Sequence, residues 1–278
     1  MVLAGCGSVF EGEPDDGDGG TGGAGAGPFE HPTGAQDVLV SVDIAGGYTA
    51  LQYELRNTPD FLLLGDGTVM TPSVTTAIFP GPAIRTLQST TVDEEQIQEL
   101  LAAADDAGLL GEEIDYGEPG VTDMDTTTVI VNVDGTTHTQ SAYALGPDDA
   151  NSPDLDEAAR SAREALQEFI ETAQTLVGAD SQAYVPSEVL AFRLSTEMVA
   201  PVEEPDLVQP PMPWPVATVP PPVTGSEPSS CAEISGQEAA DLLAALASAN
   251  ELTPWVIGDE PAVGMAFRPK LPGDAGCK

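Results

Sequence analysis

Ten prolines lie between Pro201 and Pro228, and no helix or interior strand can run through such a stretch. Each proline lacks a backbone N–H and holds φ near one value, so hydrogen-bonded ladders fail there. Clusters such as Pro220-Pro221-Pro222 favour extended polyproline II geometry, which makes residues 200–230 a semi-rigid connector. Regular structure must therefore be built in two stretches, 37–199 before the connector and 231–278 after it. The second stretch is too short to hold a core without a staple. Cys231 and Cys277 bracket it, and an oxidising compartment would pair them.

Within 37–199 the hydrophobic pattern switches between two periods. Val38, Val40, Val42 and Ile44 alternate with smaller or polar residues, as in a half-buried strand, and Gly46-Gly47 turns the chain into a second strand around Tyr48 to Leu55. Phe61 to Leu64 and Thr68 to Met70 flank Gly65-Asp66-Gly67, a hairpin signal. Thr127 to Val133 and Thr136 to Tyr143 flank Asp134-Gly135, a second one. Residues 72–90 read as mixed loop and strand. Thr91 with Glu94 predicts a capping box for a helix that carries Ile97, Leu100, Leu101 and Ala104 on one face and stops at Gly108. Ser152-Pro153-Asp154 opens a longer helix whose seam is Leu155, Ala159, Ala162, Leu166, Phe169, Ala173 and Val177. Val189 to Leu194 is a further strand.

The last stretch has a plan of its own. Ser235 and Glu238 predict a capped helix with Ala239, Leu242, Leu243 and Leu246, followed by strands at Trp255 to Ile257 and Val263 to Phe267. Trp214 and Trp255 read as packing residues, the first pinning the connector to the domain. Strands joined by tight turns, with few helical crossovers, predict an α+β fold. The expected form is an antiparallel sheet built from hairpins with two helices on one face, plus a small disulfide-stapled C-terminal αββ segment.

The other end of the chain speaks of location. Leu3-Ala4-Gly5-Cys6 resembles a bacterial lipobox: small residues precede a cysteine whose thiol accepts a diacylglyceryl group with palmitate-type chains. Only Met1 and Val2 precede the tetrapeptide, so the basic and apolar parts of a signal peptide are expected upstream. Residues 1–6 are then a signal-peptide remnant ending at the lipidation site. Residues 7–36, rich in Gly, Asp and Glu and including His31, read as a flexible tether.

Charge narrows the chemistry. With 46 acidic residues against 8 basic ones, a net charge of −38 repels phosphate backbones and anionic lipid surfaces. Nucleic acid is excluded as a partner, and a covalent lipid is left as the membrane contact. His31 and His138 cannot make a zinc site, which needs three or four ligands, and His138 with Gln140 reads as a solvent-facing part of its strand. There is no Gly-x-Ser-x-Gly elbow and no phosphate-cradling loop, so no cofactor is called for. Glu112, Glu113, Asp115, Glu118, Asp123 and Asp125 offer oxygen ligands without EF-hand spacing. Asp115, Asp123 and Asp125 are the calcium candidates, and the same trio would serve a hydrolase that uses carboxylates.

The stretch from Phe61 to Ile170 carries Gly65-Asp66-Gly67-Thr68-Val69, Ala107-Gly108-Leu109-Leu110, Asp115-Tyr116-Gly117, Thr122-Asp123 and Thr126 to Val133. Its end adds Thr253-Pro254-Trp255, Arg268-Pro269-Lys270-Leu271-Pro272-Gly273 and Cys277. These stretches resemble exported lipoproteins of actinobacteria that have no assigned activity, and the resemblance implies location and architecture only. The expectation is a non-enzymatic protein, lipid-anchored on the outer face of the cell membrane, with a binding or structural role and an envelope protein as partner. A carboxylate-based hydrolase and a calcium-dependent binding module are the alternatives.

Overall fold

The computed structural model describes residues 28–76, 78–178, 180–195, 205–225 and 227–277. The first strand, β1 (Val38–Gly46), turns Val40 and Val42 inward and leaves Ser41 and Asp43 on its other face. A single helical turn, α1 (Leu51–Glu54), follows where a strand was expected. The reason is positional: both edges of β1 are already occupied, Val42 pairing with Phe61 on one side and with Val129 on the other. Next come β2 (Phe61–Leu64), β3 (Thr68–Pro72), β4 (Leu87–Thr91), α2 (Glu94–Asp106), β5 (Asp125–Val133), β6 (Thr136–Tyr143), α3 (Glu157–Thr175) and β7 (Gln182–Tyr184). The strands form one antiparallel sheet in the order β6-β5-β1-β2-β3-β4-β7. At the β5–β6 hairpin Asp134 (φ 51°) and Gly135 (φ 70°) both take left-handed φ, as a two-residue turn between twisted strands requires.

One face of this sheet carries the main core. Leu39, Val40, Val42, Phe61, Leu63, Val129 and Val131 meet Ile97, Leu100 and Leu101 of α2 and Leu166 and Phe169 of α3. Each such side chain contributes about 1.5–3 kcal/mol by leaving water. The helix starts differ from the expected ones by two to four residues. Asp93, not Thr91, caps α2: its Oδ1 accepts from the Gln96 amide at 3.0 Å while Gln96 Oε1 accepts from the Asp93 amide at 3.1 Å. Thr91 is still in the sheet, paired with Thr68. Asp156, beyond the Ser152-Pro153-Asp154 start expected for it, caps α3 through the Ala159 amide at 2.8 Å.

The packed chain also begins earlier than the tether boundary at residue 36. Phe29 lies against the main core. His31 is 4% exposed, with Nδ1 2.9 Å from the Pro32 carbonyl and Nε2 3.2 Å from both carboxylate oxygens of Glu94.

Beyond β7 the chain lays down β8 (Glu188–Leu194), β9 (Met212–Pro213), β10 (Ser229–Ser235), α4 (Gly236–Leu246), β11 (Trp255–Val256) and β12 (Met265–Pro269). Here the expected αββ segment is corrected. It is not self-contained: β8, contributed from before the connector, is the centre of a three-stranded sheet β10-β8-β12. Cys231 sits within β10, which the proline-rich flank had hidden. The connector contributes too, since β9 pairs with β11 in parallel. Trp214 stacks on Phe267 at 6.2 Å and meets Trp255 edge-on at 5.8 Å, so it does pin the connector. Ser235 precedes α4 without capping it, and Glu238 accepts from the Thr218 amide at 3.2 Å, a second tie to the connector. A disulfide joins Cys231 and Cys277, whose Cα atoms are 5.4 Å apart.

Candidate functional site

The second face of the large sheet is only partly covered. Leu62, Leu64, Met70 and Leu87 pack there against Leu271 of the C-terminal tail. Toward β5 the same face opens into a cleft of about 750 Å³, a volume suited to a small molecule. Its floor is Ser41 and Asp43 of β1 with Ile130 and Asn132 of β5. Tyr53, Asn57 and Thr58, from α1 and the loop after it, form one wall, and the tail from Arg268 to Asp274 forms the other. Strand alternation explains the floor: with Val40 and Val42 committed to the core, Ser41 and Asp43 have no other side to occupy.

A polar chain runs into the cleft from behind. Arg85 donates from Nη2 to Asp60 Oδ1 at 3.1 Å and from Nη1 to Asn57 Oδ1 at 2.9 Å, and Asn57 Nδ2 donates to Asp43 Oδ1 at 2.9 Å. Across the cleft Arg268 is held by both oxygens of Asp274, at 3.0 and 2.8 Å, and its guanidinium lies 5.3 Å from the centre of the Phe192 ring. Both guanidiniums that act on Asp43 are thus already paired with other carboxylates. Burial raises the Asp43 pKa above the ordinary carboxylate value, against the Asn57 hydrogen bond and the charges of Arg85 and Arg268. Burial raises Asp60 as well, with Arg85 opposing it.

That shift has a sign that can be checked. A carboxyl whose folded pKa is raised binds its proton more tightly in the folded chain, so its contribution to stability falls as pH climbs from the ordinary range through the raised value. Asp43→Asn keeps an acceptor for Asn57 and removes the desolvated charge. At neutral pH this variant is expected to melt above the parent, and the difference should vanish below about pH 3, where both states of the parent carboxyl are protonated. Calorimetry across that range reads it. A melting temperature unchanged or lowered at neutral pH would contradict the assignment.

Of the acidic residues singled out in the sequence, Asp125 alone lines the cleft, and the others lie elsewhere. Asp115 is exposed and its Oδ1 accepts from the Gly117 amide at 2.9 Å. Asp123 is exposed at φ 61°, and its carbonyl takes the Tyr48 amide at 3.2 Å. Asp125, the first residue of β5, pairs with Gly46 and lines the cleft with its side chain exposed. Among the described residues no three His, Cys, Asp or Glu side chains are gathered to hold a metal. The loops are fixed from beneath: Gln140, 2% exposed rather than solvent-facing, donates to the carbonyls of Leu109 and Glu112 and accepts the Ile114 amide. Arg163, fully buried on α3, takes the Tyr116 carbonyl at 3.1 Å. With the inner side of the loop spent on these anchors, its carboxylates point to water.

Cys6 lies outside the described residues. Asp43, Asn57, Asp60, Arg85 and Arg268 were missed in the sequence. Asp43 had one legible signal, a charge on the outward face of a strand, which reads equally well as solvent. No protein-family profile and no curated protein matches the chain.

Proposed function

We propose that this chain is held by a lipid on Cys6 at the outer face of the cell membrane of a Gram-positive, actinobacterial-type envelope, and that it binds a ligand in the cleft between the large sheet and the C-terminal tail. The observation that carries the export part is the bond between Cys231 and Cys277. Structural disulfides belong to oxidising compartments, and pairing these two leaves Cys6 as the remaining thiol of the three in the sequence. No helix among the described residues is long and apolar enough to cross a membrane, so a lipid is the contact this reading needs. A carboxylate-based hydrolase is the alternative. Asp43 now supports it in place of Asp115, Asp123 and Asp125, because a desolvated carboxyl in a cleft is the usual setting of a general acid.

Expression behind a lipoprotein signal peptide in an actinobacterial host tests the anchor. Mass spectrometry is expected to find a diacylglyceryl group on Cys6, and Cys6→Ser should move the protein from the membrane fraction to the medium. A membrane-bound product with an unmodified Cys6 would reject it.

A further inference from the structure

The cleft has one carboxylate without an ion pair of its own, and apolar walls. Asp43 is half-buried with only the neutral Asn57 amide bonded to it from a side chain, while Arg85 and Arg268 are committed to Asp60 and Asp274. Thr58, the residue after Asn57, lines the same cleft, is 3% exposed, and its Oγ1 has no hydrogen-bond partner among the described residues. That hydroxyl is closed off from the open space of the cleft, so Asp43 is the group a ligand there can reach. Ile44 and Tyr53, each 40% exposed, add apolar surface beside these groups.

From this geometry we propose that the cleft is a site for a small organic cation, an ammonium group on an apolar stem, with Asp43 as counter-ion and Ile44 and Tyr53 against the stem. An ammonium carries three N–H donors and no acceptor. It therefore pairs with the carboxylate, where an anion would face Asp43, Glu54 and Asp125 with no uncommitted cation among the cleft residues. The pKa of Asp43 is raised by burial against the charges of Arg85 and Arg268, which fits a carboxylate with no ion pair of its own that gains one on binding. The tyrosine ring adds a π face for the cation or a flat wall for the stem. The proposal rests on the reading of the cleft as a binding site and names what that site takes.

Titration calorimetry and chemical-shift mapping on the full chain with n-hexylammonium, hexan-1-ol and hexanoate test it. Sodium chloride at about 0.5 M, where the Debye length is only about 4 Å, suppresses loose attraction to the acidic surface. Hexylammonium is expected to saturate a single site, with shifts centred on Asp43, Tyr53 and Thr58. Asp43→Asn should weaken it at least about tenfold, the loss of a charged hydrogen bond, while Thr58→Val, which removes a hydroxyl shut off from the cleft, should leave it within about twofold. Because Asp43→Asn is expected to melt above the parent, lost binding in it is not lost folding. Equal binding of hexan-1-ol, or preference for hexanoate, would overturn the cation while leaving a working site. Hexylammonium binding that survives Asp43→Asn would also overturn the cation assignment. Absence of saturable binding by all three probes would remove the site and the proposal together.

Discussion

Arg163→Met should cost about 3–5 kcal/mol, lowering the melting temperature by roughly 6–20 °C in a chain of this size. The side chain is fully buried, and its Nε donates to Asp149 Oδ2 at 2.7 Å. Nη1 donates to the Tyr116 carbonyl at 3.1 Å, and Nη2 to the carbonyls of Tyr143 and Ala144 at 2.8 and 2.7 Å. The clasp therefore joins α3 to the end of β6, to the acidic loop and to the 3-10 turn Asp149–Asn151. Methionine fills much of the volume but strands a carboxylate that is 8% exposed, together with three carbonyls. Those losses, rather than the net worth of the ion pair, set the size of the effect. Asp149 retains the Gly146 amide and the Gln167 side chain, at 3.0 and 3.1 Å. Adding Asp149→Asn should for that reason recover part of the loss, a coupling that a double-mutant cycle reads directly. Chemical denaturation that places Arg163→Met within about 1 kcal/mol of the parent would refute the clasp as a structural keystone.

Arg163 also shows where sequence reasoning stops. Periodicity identified its helix and most of the buried face around it, because Ala159, Leu166, Phe169 and Ala173 recur at helical spacing. It gives no reason to include a charged residue, Arg163, in that same face. Gln140 is the parallel case in β6: alternation gives the side it points to, but not that a loop closes over it. Both are polar residues whose partners are main-chain carbonyls far away in sequence, and carbonyls leave no trace in composition. The hairpins at Asp66 and Asp134 were legible for the opposite reason, since the turn and both strands lie in one continuous stretch, residues 61–72 and 125–143. The short strand β4 was not, because Leu87 to Thr91 earns its place only by pairing with β3 and β7.

The candidate site was the least legible part. Its floor comes from β1 and β5, its walls from the loop after α1 and from a tail over two hundred residues later in the chain. No local window contains both Asp43 and Arg268. The acidic run from Glu112 to Asp125 attracted attention because its carboxylates are close in sequence, which in an acidic chain is the weaker kind of proximity. What decides the chemistry of Asp43 is desolvation and the prior commitment of its neighbouring arginines. Both are properties of the packed molecule.

Reduction of Cys231–Cys277 is the second large effect, about 4 kcal/mol. The bond closes a loop with a sequence separation of 46 residues, and the loss of chain entropy in the unfolded state scales with the logarithm of that length. The folded side of the balance adds specificity about where the damage falls. Cys231 is on the outer strand β10, and the tail that ends at Cys277 is otherwise held by a few polar contacts. Among them are Lys270 to Glu233 at 2.6 Å and to Glu188 at 3.3 Å, the Lys270 amide to the Glu188 carbonyl at 3.0 Å, Arg268 to Asp274, and the Cys277 amide to Glu233 Oε1 at 3.1 Å. Exposed ion pairs of this kind contribute little by themselves. Leu271 supplies the tail's one buried apolar contact with the large sheet. With the disulfide open, hydrogen exchange should quicken from β12 to residue 277 and in β10, while β1, β5 and α3 keep their protection, since their core lies on the opposite face of the sheet. The same tail forms one wall of the cleft, so the reduced protein, or Cys231→Ser with Cys277→Ser, should also bind hexylammonium more weakly than the oxidised parent. Equal melting temperatures for the oxidised and reduced forms would show that β8, β10 and β12 hold the tail without the covalent bond.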